Sequence, residues 1–253
     1  MGWLGNPTSI VVLGHSGATG ANSNPDAPGA DSDENSWATG SNPQVDSLYL
    51  RLLAENPNIK GHSHNYAVDG SKVQDLSHQT QQMLMDVASP DLVVIQTVDN
   101  DIRCDGSDPQ NYRPFQESLA GTMRTIASKA PQARFFLVSQ WATVTEFANS
   151  VKDDPAGRQG FTGRGPCDLF DAAGKEQPGR IAFLQDVVDH YQVALEAACT
   201  QVRLCRNDGR IMRGLKLVPG DISSDHNHLA IQGLAKMAAL EWKALTAAAT
   251  SPS

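Results

Sequence analysis

Ser16 lies just past an apolar run, Ile10-Val11-Val12-Leu13, inside Gly14-His15-Ser16-Gly17-Ala18-Thr19-Gly20. Three common glycine motifs fail here. The segment has no lysine for a phosphate-binding P-loop, and glycines at 14, 17 and 20 miss the G-x-G-x-x-G spacing of dinucleotide sites. Ala18 breaks the G-x-S-x-G of a nucleophile elbow. What remains is a serine between glycines that let backbone approach a ligand. Taken alone, such a serine reads as the cap of the next helix.

A second candidate is Ser224-Asp225-His226-Asn227-His228-Leu229. An acid three residues before a histidine can set carboxylate and imidazole side by side on one turn. The carboxylate then fixes the tautomer and favours the protonated ring, as a hydrolytic triad requires. Asp225 would also serve as an ordinary helix cap, and His62-x-His64 with His226-x-His228 could offer four nitrogens to a metal. Two further segments supply donors. Asn65 to Gly70 ends in a glycine whose N–H can face a crevice, and Asn100 follows the apolar run Leu92–Ile95. A backbone N–H and an asparagine amide are the donor types of an oxyanion hole.

The elements that must position these residues follow from the apolar pattern. Continuous rather than alternating runs at Ile10–Leu13, Leu92–Ile95 and Arg134–Val138 predict buried parallel strands. Weaker strand candidates are His64–Val68 and Leu215–Val218. Helical stretches are expected at Val45–Glu55, Lys72–Val87, Phe115–Lys129, Ile181–Val202 and Leu229–Thr246. Alternation of the two types predicts an α/β fold with a mostly parallel sheet covered on both faces. No repeat or linker divides the chain, so 1–253 is expected to form a single domain. Long loops at 18–42 and 142–179, rich in glycine and polar residues, should border the site, because loops at the carboxyl ends of strands line the ligand crevice of such sheets.

Composition limits the function. The chain carries 20 basic and 28 acidic residues in 253, a net charge of −8, which argues against a nucleic-acid surface. No 18-residue apolar stretch exists to span a membrane, and Met1–Pro7 has neither the basic flank nor the apolar run of a signal peptide. Cys104, Cys167, Cys199 and Cys205 form no CxxC pair, which excludes zinc ribbons and thioredoxin-type motifs. Cys199 and Cys205 are close at a helix end, while Cys104 and Cys167 sit in polar, glycine-rich loops. Two disulfides, 104–167 and 199–205, are therefore expected, with four buried thiols as the alternative. Disulfides imply a secreted, extracellular protein whose signal peptide has been removed, against a cytoplasmic one.

The order Ser, Gly, Asn, Asp-x-x-His, each block after a strand or before the last helix, resembles the SGNH hydrolases, the GDSL esterase and lipase family. The resemblance spans Ile10 to about Leu240 and is nearest over Asp225–Gly233 and Ala235–Ala238. It implies the flavodoxin-like SGNH hydrolase fold, a three-layer α/β/α sandwich on a central five-stranded parallel sheet. It also implies Ser16 as nucleophile and oxyanion donor, Gly70 and Asn100 as further oxyanion donors, His228 as general base and Asp225 as its orienting acid. Two positions depart from the family: Gly-Asp-Ser is Gly14-His15-Ser16, and Gly-x-Asn-Asp is Val98-Asp99-Asn100-Asp101.

The expected function is serine hydrolysis of a carboxylic ester through an acyl-enzyme, on a small-molecule or glycan ester. Esterase, lipase and sugar O-deacetylase all fit, with no metal and no organic cofactor. A transacylase using the same residues, and a weakly catalytic binding module on the same fold, are the alternatives. Trp37 and Trp141, in or beside the long loops, are candidates for lining an acyl or sugar pocket or for plain packing.

Overall fold

The structure, a computed structural model, describes residues 3–163, 165–218 and 220–247. Five strands, β1 Ile10–Gly14, β2 Ser63–Asn65, β3 Leu92–Gln96, β4 Arg134–Val138 and β5 Cys205–Asn207, form one parallel sheet in the order β2-β1-β3-β4-β5. Eight α-helices accompany it among the described residues: α1 Ser16–Thr19, α2 Leu48–Glu55, α3 Leu76–Asp86, α4 Asp108–Lys129, α5 Val144–Val151, α6 Pro155–Gly160, α7 Pro178–Thr200 and α8 Ile231–Thr246.

The apolar runs form strands because both of their faces are buried. Val11, Leu13, Val93, Ile95, Phe135 and Leu137 pack with residues of α3, α4 and α7 in one core layer. The alternate residues Ile10, Val12, Leu92, Val94, Phe136 and Val138 pack with residues of α2 and α8 in the other. This is the three-layer α/β/α sandwich expected, and its strand order is the flavodoxin-like one. In that order the chain reverses direction across the sheet between β1 and β3. The β1 register, Ile10 opposite Leu92 through Gly14 opposite Gln96, brings the two strand ends that precede Ser16 and Asn100 level with each other.

Three expectations change. The fifth strand is Cys205–Asn207, paired with Phe135–Leu137, and Leu215–Val218 is not a strand. Leu215 is buried in the core layer beside α8, so its apolar character reflects packing without a ladder. Strand β2 stops at Asn65, although the N–H groups of Tyr66 and Val68 still donate to Val12 and Gly14 carbonyls. The segment 142–179 is not irregular throughout. It holds α5, capped by the Thr143 side chain, and α6, capped by Asp154 with Pro155 in its first turn.

Both disulfides are present: Cys104–Cys167 closes a separation of 63 residues, and Cys199–Cys205 joins the last turn of α7 to β5. Among the described residues no cysteine is free, and no helix is long and apolar enough to cross a membrane.

Candidate active site

Gly14 ends β1 at a place no other residue fits. Its φ is +149°, and a Cβ there would lie 2.1 Å from the Gln96 carbonyl oxygen. The buried Gln79 side chain brackets it, accepting from the Gly14 N–H and donating to its carbonyl, both at 2.8 Å. The chain then turns into the short helix α1, with Ser16 at its first position and 5% exposed.

His15 occupies the family's aspartate position and does an aspartate's capping work. Its Nδ1 accepts the Gly17 N–H at 3.1 Å, which requires the neutral tautomer protonated on Nε2. Burial lowers its pKa, with His228 adding to the fall and Asp99 and Asp69 opposing it. The ring beside Ser16 is thus a neutral brace, and the missing carboxylate leaves the turn intact.

The Asp225–His228 pair forms as the spacing predicted. Nδ1 of His228 lies 2.5 Å from Asp225 Oδ2, while Asp225 Oδ1 accepts the N–H groups of Asn227 and His228 at 3.0 Å each. Burial opposes the Asp225 charge, but these hydrogen bonds prevail and bring its pKa down to about 2. Burial likewise opposes the imidazolium, yet the Asp225 hydrogen bond and charge, with Asp69 and Asp99, push the His228 pKa above its ordinary value. Nε2 of His228 is buried and makes no hydrogen bond to the described residues. Catalytic hydrogen bonds commonly close only when substrate is held, so a free lone pair on a fixed ring suits a base.

His226 does not compete for Asp225. Its Nε2 faces Asp154 at 3.5 Å instead, on a backbone turned to φ +57°. Among the described residues no group of three His, Cys, Asp or Glu side chains is arranged to hold a metal ion.

Gly70 sits in a turn closed by the Ser71 N–H on the Val68 carbonyl, at φ +72°, a conformation that favours glycine. Asn100 donates one amide hydrogen to the Ser71 carbonyl at 3.0 Å, which fastens the two candidate oxyanion donors to adjoining residues and leaves the second amide hydrogen. Asp101 reinforces the join. Its carboxylate accepts the Val73 N–H at 3.0 Å and the Thr97 hydroxyl at 3.2 Å, and burial raises its pKa to about 6. Val98, at the family's glycine position, is fully buried at φ +103°, so a β-branched residue carries glycine-like backbone there.

Several participants gave no sequence signal. Asn22 donates to Asp225 Oδ2 at 2.7 Å, Gln140 donates to Asp99 at 3.0 Å, and Gln79 acts on Gly14 from 65 positions away. Trp37 is a packing anchor: it is completely buried, and its Nε1 donates to Gln96 Oε1 at 2.8 Å. Trp141 instead lines a cavity of about 120 Å³ beside Asp99 and Asn227.

The family described as GDSL-like Lipase/Acylhydrolase matches residues 10–240. A comparison with curated protein sequences gives no match. Among solved structures, an extracellular lipase from Streptomyces rimosus is similar with a TM-score of 0.57 at 16% identity, covering 93% of this chain and 99% of the lipase. Phospholipase A1 from Streptomyces albidoflavus gives 0.52 at 13% identity, covering 92% and 97%. A Clostridium thermocellum family 3 carbohydrate esterase gives 0.51 at 13% identity, covering 93% and 92%. At these identities the likeness is one of fold.

Proposed function

The chain belongs to the GDSL-like lipase/acylhydrolase family and is a carboxylic ester hydrolase; from that premise we propose that it cleaves its ester through an acyl-enzyme formed on Ser16. Ser16 Oγ attacks the ester carbonyl and its proton passes to Nε2 of His228. The carbonyl oxygen, now an oxyanion, takes hydrogen bonds from the Ser16 and Gly70 N–H groups and the Asn100 amide. Collapse expels the alcohol, which leaves with the proton from His228. Water then enters, gives a proton to the same nitrogen as its oxygen bonds the acyl carbon, and collapse breaks the Ser16 ester, releasing the acid while the proton returns from His228 to Ser16 Oγ.

The observation that carries this reading is the Asp225–His228 contact at 2.5 Å with the opposite ring nitrogen buried and uncommitted. Asp225 holds the proton on Nδ1 and favours the imidazolium that forms in the transition state. Two supports come from the fold. Ser16 and Asn100 follow the paired ends of β1 and β3, where open α/β sheets place their ligands. His15, next to Ser16, lies close enough to His228 for the His228 charge to oppose protonation of the His15 ring.

The proposal extends to the whole chain as one domain, with loops 18–42 and 142–179 bordering the site. It also extends to an extracellular setting, which the two disulfides favour. The deciding experiment treats the protein with a serine-directed phosphonate and maps the adduct by peptide mass spectrometry. The adduct is expected on the peptide holding Ser16, and Ser16→Ala should stay folded and lose nearly all esterase turnover. An adduct on another serine, or an active Ser16→Ala protein, overturns the assignment.

A further inference from the structure

Outside the two core layers lies a third apolar cluster, built by the 142–179 segment and α7 around Val144, Ala148, Leu169, Phe170, Ile181 and Val188. The two main layers do not need it to cover the sheet. Within it is the cavity of about 120 Å³, walled chiefly by Ile102, Trp141, Phe147, Phe161, Leu169 and Leu184. Its aromatic wall is fixed by edge-to-face contacts, Trp141 with Phe147 at 5.4 Å and Phe147 with Phe161 at 4.7 Å.

Four polar residues, Asp99, Gln140, Thr143 and Asn227, also line it, and the Thr143 hydroxyl is engaged in accepting the Glu146 N–H. Asp99 directly precedes Asn100, and Asn227 directly precedes His228. Asp99 also acts on both His15 and His228 through its charge. One side of the cavity therefore adjoins the candidate catalytic groups and the rest is hydrocarbon. No lysine or arginine lines it, so it offers no cation to a phosphate or carboxylate, and the Asp99 side chain there would repel one. Nor does it offer the many polar groups that a sugar would need to replace its water.

We infer that this cavity binds a short, uncharged hydrocarbon arm of the ester substrate. The inference rests on the ester-hydrolase reading above and names the substrate class of that site. A dry apolar cavity of about 150 Å³ takes a six-carbon ring, so this one of about 120 Å³ takes about five carbons of a chain beyond the ester group. The disulfide holds the walls together: Cys104 is two residues from Ile102, and Cys167 two residues from Leu169.

The test is a chain-length series of p-nitrophenyl esters from acetate to dodecanoate, with ethyl octanoate and octyl acetate compared in parallel. With the acyl arm in the cavity, the kcat/KM of the p-nitrophenyl esters is expected to rise by about fourfold per methylene up to about six carbons and then flatten, since each buried methylene contributes about 0.8 kcal/mol. Preference for ethyl octanoate assigns the cavity to the acyl arm, and preference for octyl acetate assigns it to the alcohol arm. Leu184→Trp, which fills the cavity from α7, should lower the ratio of octanoate to acetate kcat/KM at least tenfold. Phe161→Ala, which enlarges it, should move the optimum to longer chains and serves if Leu184→Trp misfolds. A flat p-nitrophenyl series with no preference for octyl acetate over ethyl acetate, in an enzyme that hydrolyses acetate esters, or variants that scale all esters equally, overturns the inference alone. Failure to hydrolyse any ester in the series overturns the hydrolase reading instead.

Discussion

Asn22 and Asp225, 203 positions apart, are joined by a 2.7 Å hydrogen bond from Nδ2 of the asparagine to Oδ2 of the carboxylate. That oxygen is the one facing His228 Nδ1, so the long loop after α1 is fastened directly to the acid–base pair. The same asparagine accepts the Gly29 N–H on Oδ1 and stands at φ +56°. Asn22→Asp keeps that acceptor and tolerates that backbone, but sets one carboxylate against another. A second carboxylate favours the His228 imidazolium, so the acid limb of the kcat/KM–pH profile should move to higher pH. Asn22→Ala should leave the limb near its place and lower kcat about tenfold, a loss of about 1.4 kcal/mol and within what a hydrogen bond to a charged group supplies. An unmoved limb in Asn22→Asp would show that the contact does not tune the base.

The pH dependence carries its own sign. His228 works only when neutral, so kcat/KM should rise with pH through a midpoint above the ordinary histidine value, because Asp225 and the neighbouring acids outweigh burial. For stability the direction is opposite. A raised folded pKa gives a contribution fully present below the unfolded value of 6.5 and lost as pH rises through the folded one. Activity should therefore climb over the window in which that stabilisation fades. Asp225, held down to about 2, adds stability above the usual carboxylate range and loses it as pH falls toward 2. His228→Ala should lose at least about 10⁴-fold in kcat. His226→Ala, whose ring faces Asp154, should stay close to the parent enzyme. The reverse outcome assigns the base to His226.

Asn100→Ala tests the side-chain donor. Charge reaches the carbonyl oxygen only as the tetrahedral intermediate forms, so the loss should fall on kcat, by about 10²- to 10³-fold, or roughly 3–4 kcal/mol. KM should change little. The amide also holds the Ser71 carbonyl, so thermal unfolding must be measured beside the kinetics. A lower melting temperature with kcat within a few-fold would reduce Asn100 to a turn anchor.

Val98 should behave against the usual order of alanine and glycine. Its φ of +103° costs a non-glycine residue on the order of 1–3 kcal/mol, while its fully buried side chain contributes about 1.5–3 kcal/mol. Val98→Ala loses most of the packing and keeps the strain. Val98→Gly loses the packing and releases the strain, so urea unfolding should find it more stable than Val98→Ala. A glycine variant less stable than the alanine variant would mean that the turn before Asn100 is not strained.

Much of this protein is legible in the sequence because the signals are local. Ile10–Leu13, Leu92–Ile95 and Phe135–Val138 are continuous apolar runs, and only strands buried on both faces require that. Asp225 and His228 meet because a three-residue spacing brings them together within one turn, whatever surrounds them. The disulfide 199–205 needs only a helix end followed by a strand. Strand β5 escapes this reading, since Cys205-Arg206-Asn207 is short, polar and half-buried at the sheet edge and is a strand only through its ladder to β4. Equally, Leu215–Val218 has a strand's apolar character without a neighbour to pair with.

Tertiary structure alone decided the rest. His15 could be read as a lost aspartate until its Nδ1 is seen holding the Gly17 N–H. Trp37 and Trp141 look alike in sequence, yet one is sealed in the core against Gln96 and the other lines the cavity. Asn22 on Asp225, and the cavity walls brought together from residues near 102, 141–169 and 184, depend on contacts spanning tens to hundreds of positions. Short-range spacing fixes which groups stand next to each other on one turn. The closure of loops over the sheet, set by packing and by the Cys104–Cys167 link, fixes which turns face each other. A hydrogen bond or cavity between such turns therefore leaves no periodic trace in the chain.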